Sequence, residues 1–316
     1  MILSQQRLTP THHRSTYPAI SPTKPSLSQT GKTILITGGG GGIGFDIARS
    51  FTKASASRII IVGRRGGFLD AAVTKLRDEF GANGPTEFIA RQGDISDDES
   101  MAALWDHLHA QNILVHVLVL NAAQFTPVVP DTLSLSKNEL MEAFNTNVGS
   151  NFYMSTRFVQ QPLRSPAGQE QQKLFLVNVS SCQIHMYPSP TTNAYAATKT
   201  AFTALLGRIA DERKVEDVQI VSYHPGAQYS EIVSNHMSRD SLDWDEMSLA
   251  ADYAVWAASP EASWLHGRYV YAHWDVDEFK NLVNELDSDV GKLFKSEKGY
   301  LKAGIIGLGS VSYGEP

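Results

Sequence analysis

The stretch Thr33-Ile34-Leu35-Ile36-Thr37-Gly38-Gly39-Gly40-Gly41-Gly42-Ile43-Gly44 decides the fold class. A short apolar run passes directly into glycines and then into a helical pattern. Only glycine lets a backbone turn this sharply and come within contact distance of a pyrophosphate, and the following helix offers free N–H groups and its positive dipole end. Five glycines alone would equally suit a flexible linker, but their place between strand and helix makes a phosphate-binding turn the better reading. Gly44 is followed by Phe45, so the Gly-Lys-Ser/Thr ending of a triphosphate loop is missing. Gly38, Gly42, Ile43 and Gly44 are therefore the first candidate cofactor contacts.

Outward from this turn, short apolar runs alternate with longer amphipathic ones. Strands are expected at 33–37, 58–62, 87–90, 115–120, 174–179, 219–223 and 268–271, and helices near 43–54, 68–80, 98–110, 135–161, 193–213 and 246–258. Continuously apolar strands belong to a parallel sheet covered on both faces. The alternation predicts right-handed βαβ units in a Rossmann-type, doubly wound α/β fold, one domain over 31–274. Residues 275–316 form a C-terminal extension: an amphipathic stretch over 276–286, then a Gly-rich end from Gly304 to Gly314. Residues 1–30 hold Pro10, Pro18, Pro22 and Pro25 and no acid, a composition that predicts a disordered arm on the surface or on a partner subunit. Organelle import is the lesser alternative, because four prolines would break the amphipathic helix of a transit peptide.

The 316 residues carry a net charge of −6, which disfavours a nucleic-acid partner. A single cysteine, Cys182, excludes an internal disulfide framework and a multi-thiolate zinc site. Ten histidines show no metal-ligand spacing; His107 and His109, two apart on a helix, face different ways. No apolar run is long enough to span a bilayer. The composition reads as a cytoplasmic protein with no metal.

The second strand ends in Val62-Gly63-Arg64-Arg65. In a dinucleotide fold an acid here would accept the ribose hydroxyls of NAD, whereas arginine pairs with the extra phosphate of NADP. Arg64 and Arg65 thus favour NADP(H), with NAD(H) the lesser alternative. Asp94 and Ile95, after the third strand, are placed to meet adenine. Asn121 and Ala122, after the fourth, are placed to close the floor under the nicotinamide side.

Tyr195 and Lys199 stand four apart in a good helical sequence, on one face. A free tyrosine titrates near pH 10, and a neighbouring ammonium favours its phenolate, drawing the pKa toward the working range. Such a tyrosine can give a proton to a carbonyl oxygen or take it back. Ser181, closing Val177-Asn178-Val179-Ser180-Ser181, would hydrogen-bond the same oxygen. A Tyr-x-x-x-Lys pair is common by chance; joined to the glycine turn and the strand-end serines it carries weight.

These residues together resemble the short-chain dehydrogenase/reductase family, over roughly 31–274. Its glycine signature, Thr-Gly-x-x-x-Gly-x-Gly, reads here Thr37 to Gly44. The resemblance implies a catalytic tetrad of Asn147, Ser181, Tyr195 and Lys199, with Asn147 kinking its helix and supporting a proton-relay water. It also implies that Lys199 bonds the nicotinamide ribose and that Pro225, Gly226 and Ser230 orient the nicotinamide amide. Members commonly pair through two long helices, which implies a homodimer or homotetramer. The departures are specific: Leu120-Asn121-Ala122-Ala123 replaces Asn-Asn-Ala-Gly, Ser230 stands where Thr is usual, Gly41 where a basic residue often marks NADP use, and the Ser181–Tyr195 interval is one residue longer. The pattern from Trp264 through Trp274, with its tail, resembles specialised-metabolism members.

Gln183, His185, Met186, Tyr187, Tyr229, Met237 and Trp244 are expected near the substrate, and their apolar and aromatic content suits a medium-sized carbonyl or alcohol. His224 is expected to end its strand with a local hydrogen bond, and Cys182 to be a buried, inert thiol. The implied activity is carbonyl reduction or alcohol oxidation. The alternatives on the same fold are an isomerase or cyclase with bound NADP(H), or an NADPH-sensing regulator.

Overall fold

The structure, a computed structural model, describes residues 8–81, 84–125, 127–164, 171–186, 191–235, 237–285, 287–296 and 301–302. Seven strands form one parallel sheet: β1 (Thr33–Thr37), β2 (Arg58–Gly63), β3 (Glu87–Gln92), β4 (Val117–Leu120), β5 (Leu174–Val179), β6 (Val218–His224) and β7 (Arg268–Tyr271). Their order is β3-β2-β1-β4-β5-β6-β7. The chain winds outward in both directions from the β1/β4 boundary, the switch point where such sheets bind ligands at their carboxyl edge.

Alternate strand residues feed two cores. Ile34, Ile36, Ile59, Ile61, Val119 and Val177 face α1 (Gly42–Lys53), α2 (Gly66–Phe80) and α8 (Met247–Ala257). Leu35, Ile60, Leu118, Leu120, Leu176 and Ile220 face α3 (Asp98–Ala110), α5 (Ser150–Val159) and α6 (Asn193–Glu212). Double-sided burial is why these strands read as largely apolar runs. The remaining helices are α4 (Lys137–Phe144), the short α7 (Glu231–Ser234), α9 (Val276–Asn284) and α10 (Asp289–Ser296). No helix among the described residues is long and apolar enough to cross a membrane.

The single helix expected over 135–161 is divided. Ser136 caps α4 in a reciprocal capping box with Glu139, and α4 then passes into a wide π turn over Asn145–Gly149 before α5 begins. The Ser150 hydroxyl donates to the Asn145 carbonyl (2.9 Å), satisfying a group that the widened ladder strains.

The arm also differs from its expectation. Residues 8–30 pack on the body rather than remaining disordered. Pro18–Ile20 and Pro25–Leu27 are 3-10 turns, each opening on the proline whose fixed φ suits a first helical position. They deliver Ile20 and Leu27, both fully buried, into the α8 side of the core. The Tyr17 hydroxyl donates to the Trp274 carbonyl (3.0 Å) and accepts from the Val276 N–H (3.2 Å). Lys24 pairs with Glu261 at 2.8 Å. Low average hydrophobicity misled because a few well-placed apolar residues suffice when a finished core receives them.

The extension begins as part of the same core: α9 buries Val276, Phe279 and Val283, with Phe279 edge-on to Trp264 and Trp274. The Tyr269 N–H donates to the Leu301 carbonyl at 2.7 Å, so the chain returns to the β7 edge. The Gly-rich end lies outside the described residues.

If the arm is structural, Leu27→Ala should destabilise the protein by about 2–5 kcal/mol, the usual range for emptying a buried leucine site. Urea unfolding measures this; an unchanged midpoint would mean the arm contributes no packing.

Candidate active site

Thr37, fully buried, ends β1 and stitches it to β4. Its hydroxyl accepts the N–H groups of Asn121 and Ala122, both at 3.0 Å. The Asn121 amide returns, donating to the Thr37 carbonyl (3.0 Å) and the Gly38 carbonyl (3.4 Å). Gly38 has φ +71°, and a Cβ there would lie 2.9 Å from the Asn121 amide nitrogen. At Gly44 a Cβ would meet the Gly38 carbonyl oxygen at 2.3 Å. The turn is thus closed by backbone against backbone. Above it the space is open: a Cβ at Gly41 would meet nothing within 4 Å, and one at Gly42 would meet only Ser230, at 3.8 Å. The first turn of α1 has no side-chain cap and no acid. An uncapped helix start over a glycine cradle fits a pyrophosphate, so the residues present suit a dinucleotide.

Arg64 and Arg65 are exposed at the end of β2, and neither joins an ion pair among the described residues. The Arg65 guanidinium lies 3.7 Å from the Phe68 ring centre. Burial pushes the Asp94 carboxyl up, but hydrogen bonds from Ser96 and the field of Arg64 outweigh it and hold the pKa below the ordinary value. Ile95 is buried beside this strand end.

The π turn serves Asn147. Its side chain accepts the Gln124 N–H (2.7 Å) and donates to the Gln124 carbonyl (2.8 Å) and the Thr198 hydroxyl (3.0 Å). Thr198 in turn donates to the Tyr195 carbonyl at 2.8 Å. Asn147 is therefore tied both to the chain after β4 and to α6. Gln124 and Thr198 escaped the sequence reading; Thr198, one position before Lys199, carried no signal apart from its neighbours.

The two serines after β5 part company. Ser180 turns into the body and shares a hydrogen bond with Thr203 (2.7 Å). Ser181 hydrogen-bonds Tyr195 and its backbone carbonyl accepts from the Tyr269 hydroxyl at 2.9 Å. Burial pushes the Tyr195 pKa up, the negative charge of Cys182 when ionised adds to that, and the Ser181 bond opposes it. Burial lowers Lys199 to about 8; its ammonium donates to the Val179 carbonyl (2.8 Å) and sits 5.8 Å from the Tyr195 ring centre. Phe125 packs edge-on to Tyr195, ring centres 5.0 Å apart. Cys182 is half-buried with its thiol pushed up to about 11 by burial, which keeps it protonated.

Past β6, Gly226 adopts φ +100° directly over Asp245, whose Oδ2 would lie 2.7 Å from a Cβ. Pro225 accepts from the Gln228 side chain (2.6 Å), and Ser230 ends up across from Gly42. Tyr229 and Trp244 pack together at 5.2 Å, and Met237 is exposed. His224 does end β6, but neither ring nitrogen has a hydrogen-bond partner among the described residues. Burial and His273 push its pKa down to about 3, so it stays neutral between Tyr271 and His273. His185 stands edge-on to Tyr269, whereas Tyr187 lies outside the described residues. Among the described residues no three His, Cys, Asp or Glu side chains are grouped to hold a metal.

The cradle makes a sharp prediction. Gly44→Ala should abolish nucleotide binding and lower stability, because the new methyl meets backbone that has no rotamer to move. Fluorescence titration with NADPH reads the first effect and thermal unfolding the second; retained affinity would show that the turn is not built as described.

The model of the short chain dehydrogenase family matches residues 32–240. The chain is 35% identical to the short chain dehydrogenase/reductase AacuD of Aspergillus aculeatus, over 90% of this chain and 94% of that one. It is 33% identical to the short chain dehydrogenase/reductase nsrO of Aspergillus novofumigatus, over 90% and 95%. A short-chain type dehydrogenase/reductase structure from Mycobacterium ulcerans superposes with a TM-score of 0.68 at 25% identity, covering 77% of this chain and 89% of that one. With the switch-point glycine turn and the Ser181–Tyr195–Lys199 cluster already on the same sheet edge, these likenesses lead to one conclusion: the chain belongs to the short-chain dehydrogenase/reductase family.

Proposed function

We propose that this oxidoreductase is NADP(H)-dependent and reduces a ketone or aldehyde, or oxidises the corresponding alcohol, in a medium-sized, fairly apolar metabolite. The observation that carries the reading is Tyr195, half-buried and hydrogen-bonded to Ser181, beside the buried Lys199 ammonium. A bound reduced nicotinamide would supply the hydride. Gly38, Gly42, Ile43 and Gly44 would hold the pyrophosphate, Asp94 and Ile95 the adenine, and Asn121, Ala122, Pro225, Gly226 and Ser230 the nicotinamide end. Arg64 and Arg65, exposed and free of ion pairs among the described residues, favour a 2′-phosphate over a bare ribose.

In this reading Ser181 anchors the substrate oxygen and Tyr195 delivers its phenolic proton there. The raised pKa of Tyr195 keeps it protonated and ready to act as the acid. Lys199 stabilises the phenolate left behind, and Asn147 supports the relay that restores the proton. The aromatic pair Tyr229–Trp244, with Phe125 and His185, supplies apolar walls. The motif over Trp264–Trp274 supports a place in secondary metabolism. A homodimer or homotetramer through α5 and α6 would cover Phe152, 46% exposed on α5.

Tyr195→Phe should leave NADPH binding intact and slow carbonyl-dependent NADPH consumption by about 10²–10⁴-fold, the usual contribution of a positioned acid. Unimpaired turnover would overturn the assignment; tight binding with no turnover by the parent chain on a broad carbonyl panel would favour the regulator.

The reductive rate should also fall as pH rises through about 8, where Lys199 loses its proton. Below that value the ammonium is present and the rate should be flat. A pH–rate profile at saturating NADPH checks the sign; a rate that rises through pH 8 would contradict it.

A further inference from the structure

The arm residue Arg14 reaches the strand-end segment 225–230 through a single buried carboxylate. Asp245 is 4% exposed at its side chain. Its Oδ2 accepts the Ala227 N–H at 2.8 Å and lies 2.8 Å from His273 Nε2, while its Oδ1 accepts Arg14 Nε at 2.9 Å. The backbone closes the same pair from the other side, the Asp245 N–H donating to the Ala227 carbonyl at 2.8 Å. Arg14 is itself held: its carbonyl accepts the Glu246 N–H (2.8 Å), and its guanidinium also grips the Asp243 carboxylate and carbonyl. One fork thus spans both ends of the Asp243–Asp245 turn.

A carboxylate buried this deeply is costly unless its charge is answered, and removing one partner leaves the remainder uncompensated. Gly226 sits directly on this carboxylate with a backbone angle that few residues adopt, so a shift of Asp245 must move the segment that ends at Ser230, opposite Gly42. The neighbouring arm contacts keep Arg14 in place: Thr11 N–H to Glu278 (2.8 Å) and His13 to Asp275 (2.8 Å).

We propose that Arg14 is a positioning residue: by fixing Asp245 it sets the backbone of residues 225–230, and so the nicotinamide half of the cofactor site, without touching cofactor or substrate. The inference rests on the dinucleotide reading above. It makes the arm an outer support of the site rather than an appendage.

The test compares two ligands that differ only in the nicotinamide: NADPH and 2′-phospho-ADP-ribose, each titrated by protein fluorescence. Arg14→Ala should weaken NADPH by roughly tenfold, the lower range for loss of an outer supporting contact, and leave 2′-phospho-ADP-ribose within about twofold. Arg14→Lys, which keeps the charge but not the fork, should recover part of the loss. The Arg14 side chain is 38% exposed, so truncation opens no buried cavity; Asp245→Asn, which keeps the shape and the Ala227 acceptor, should show the same ligand split. Equal weakening of both ligands would assign Arg14 a general structural role and overturn the proposal, as would no weakening of either. Failure of both ligands, and of NADH and ADP-ribose beside them, to bind the parent chain would overturn the dinucleotide reading itself.

Discussion

Everything at the carboxyl edge of this sheet depends on one close contact, the Asn121 amide lodged against Gly38 and Gly44. Two carbonyls of the turn, those of Thr37 and Gly38, are satisfied by that amide, and the Thr37 hydroxyl returns the favour to two N–H groups of the β4 end. A buried backbone group left unpaired costs about 1–3 kcal/mol, so this reciprocal set holds β1 and β4 in one register at the switch point. It also leaves no room for any Cβ at Gly44, whose nearest neighbour is a fixed carbonyl oxygen. The cradle is narrow because the strands beneath it cannot move apart.

A second stitch extends the first. Asn147 pairs with both main-chain groups of Gln124, three residues beyond Asn121, and passes the constraint through Thr198 to Tyr195. The helix accepts a π turn to make this reach. A widened turn is a small local cost, and three hydrogen bonds to a buried amide offset it. Lys199, on the same face of α6 as Tyr195, is held down by the Val179 carbonyl at the end of β5. Three strand ends, the π turn and α6 therefore share the positioning of a few side chains, a rigid support of the kind a functional site needs.

The outer parts follow the same logic at longer range. A cavity of about 280 Å³ lined by Trp105, His109, Arg157 and Gln161 opens between α3 and α5, toward the amino edge of the sheet and away from these residues. The arm, by contrast, crosses to the carboxyl edge and bonds the loop after β6. Its polar residues meet acids that follow β7: His13 with Asp275 and Thr11 with Glu278. Chain ends separated by more than 200 residues close over the same edge.

By itself the sequence determined the sheet and the glycine turn. The central strands were legible because residues buried on both faces are mostly apolar, whereas the β3 edge is only half-buried, and the turn because its close approaches leave no room for a side chain. The Tyr195–Lys199 pairing was legible because helical period alone brings i and i+4 together. Helical period gives no sign of the break at Asn145–Gly149, which only the family resemblance implied as a kink at Asn147; the tertiary structure supplies its partner, Gln124, 23 residues away. Only tertiary packing decided that residues 8–30 are part of the body, since composition averages over a segment whereas burial acts on single side chains such as Ile20 and Leu27. The roles of Arg14 and Asp245 were hidden for the same reason: local pattern reports what a residue can do, and a long-range hydrogen bond is set by what the fold brings to it.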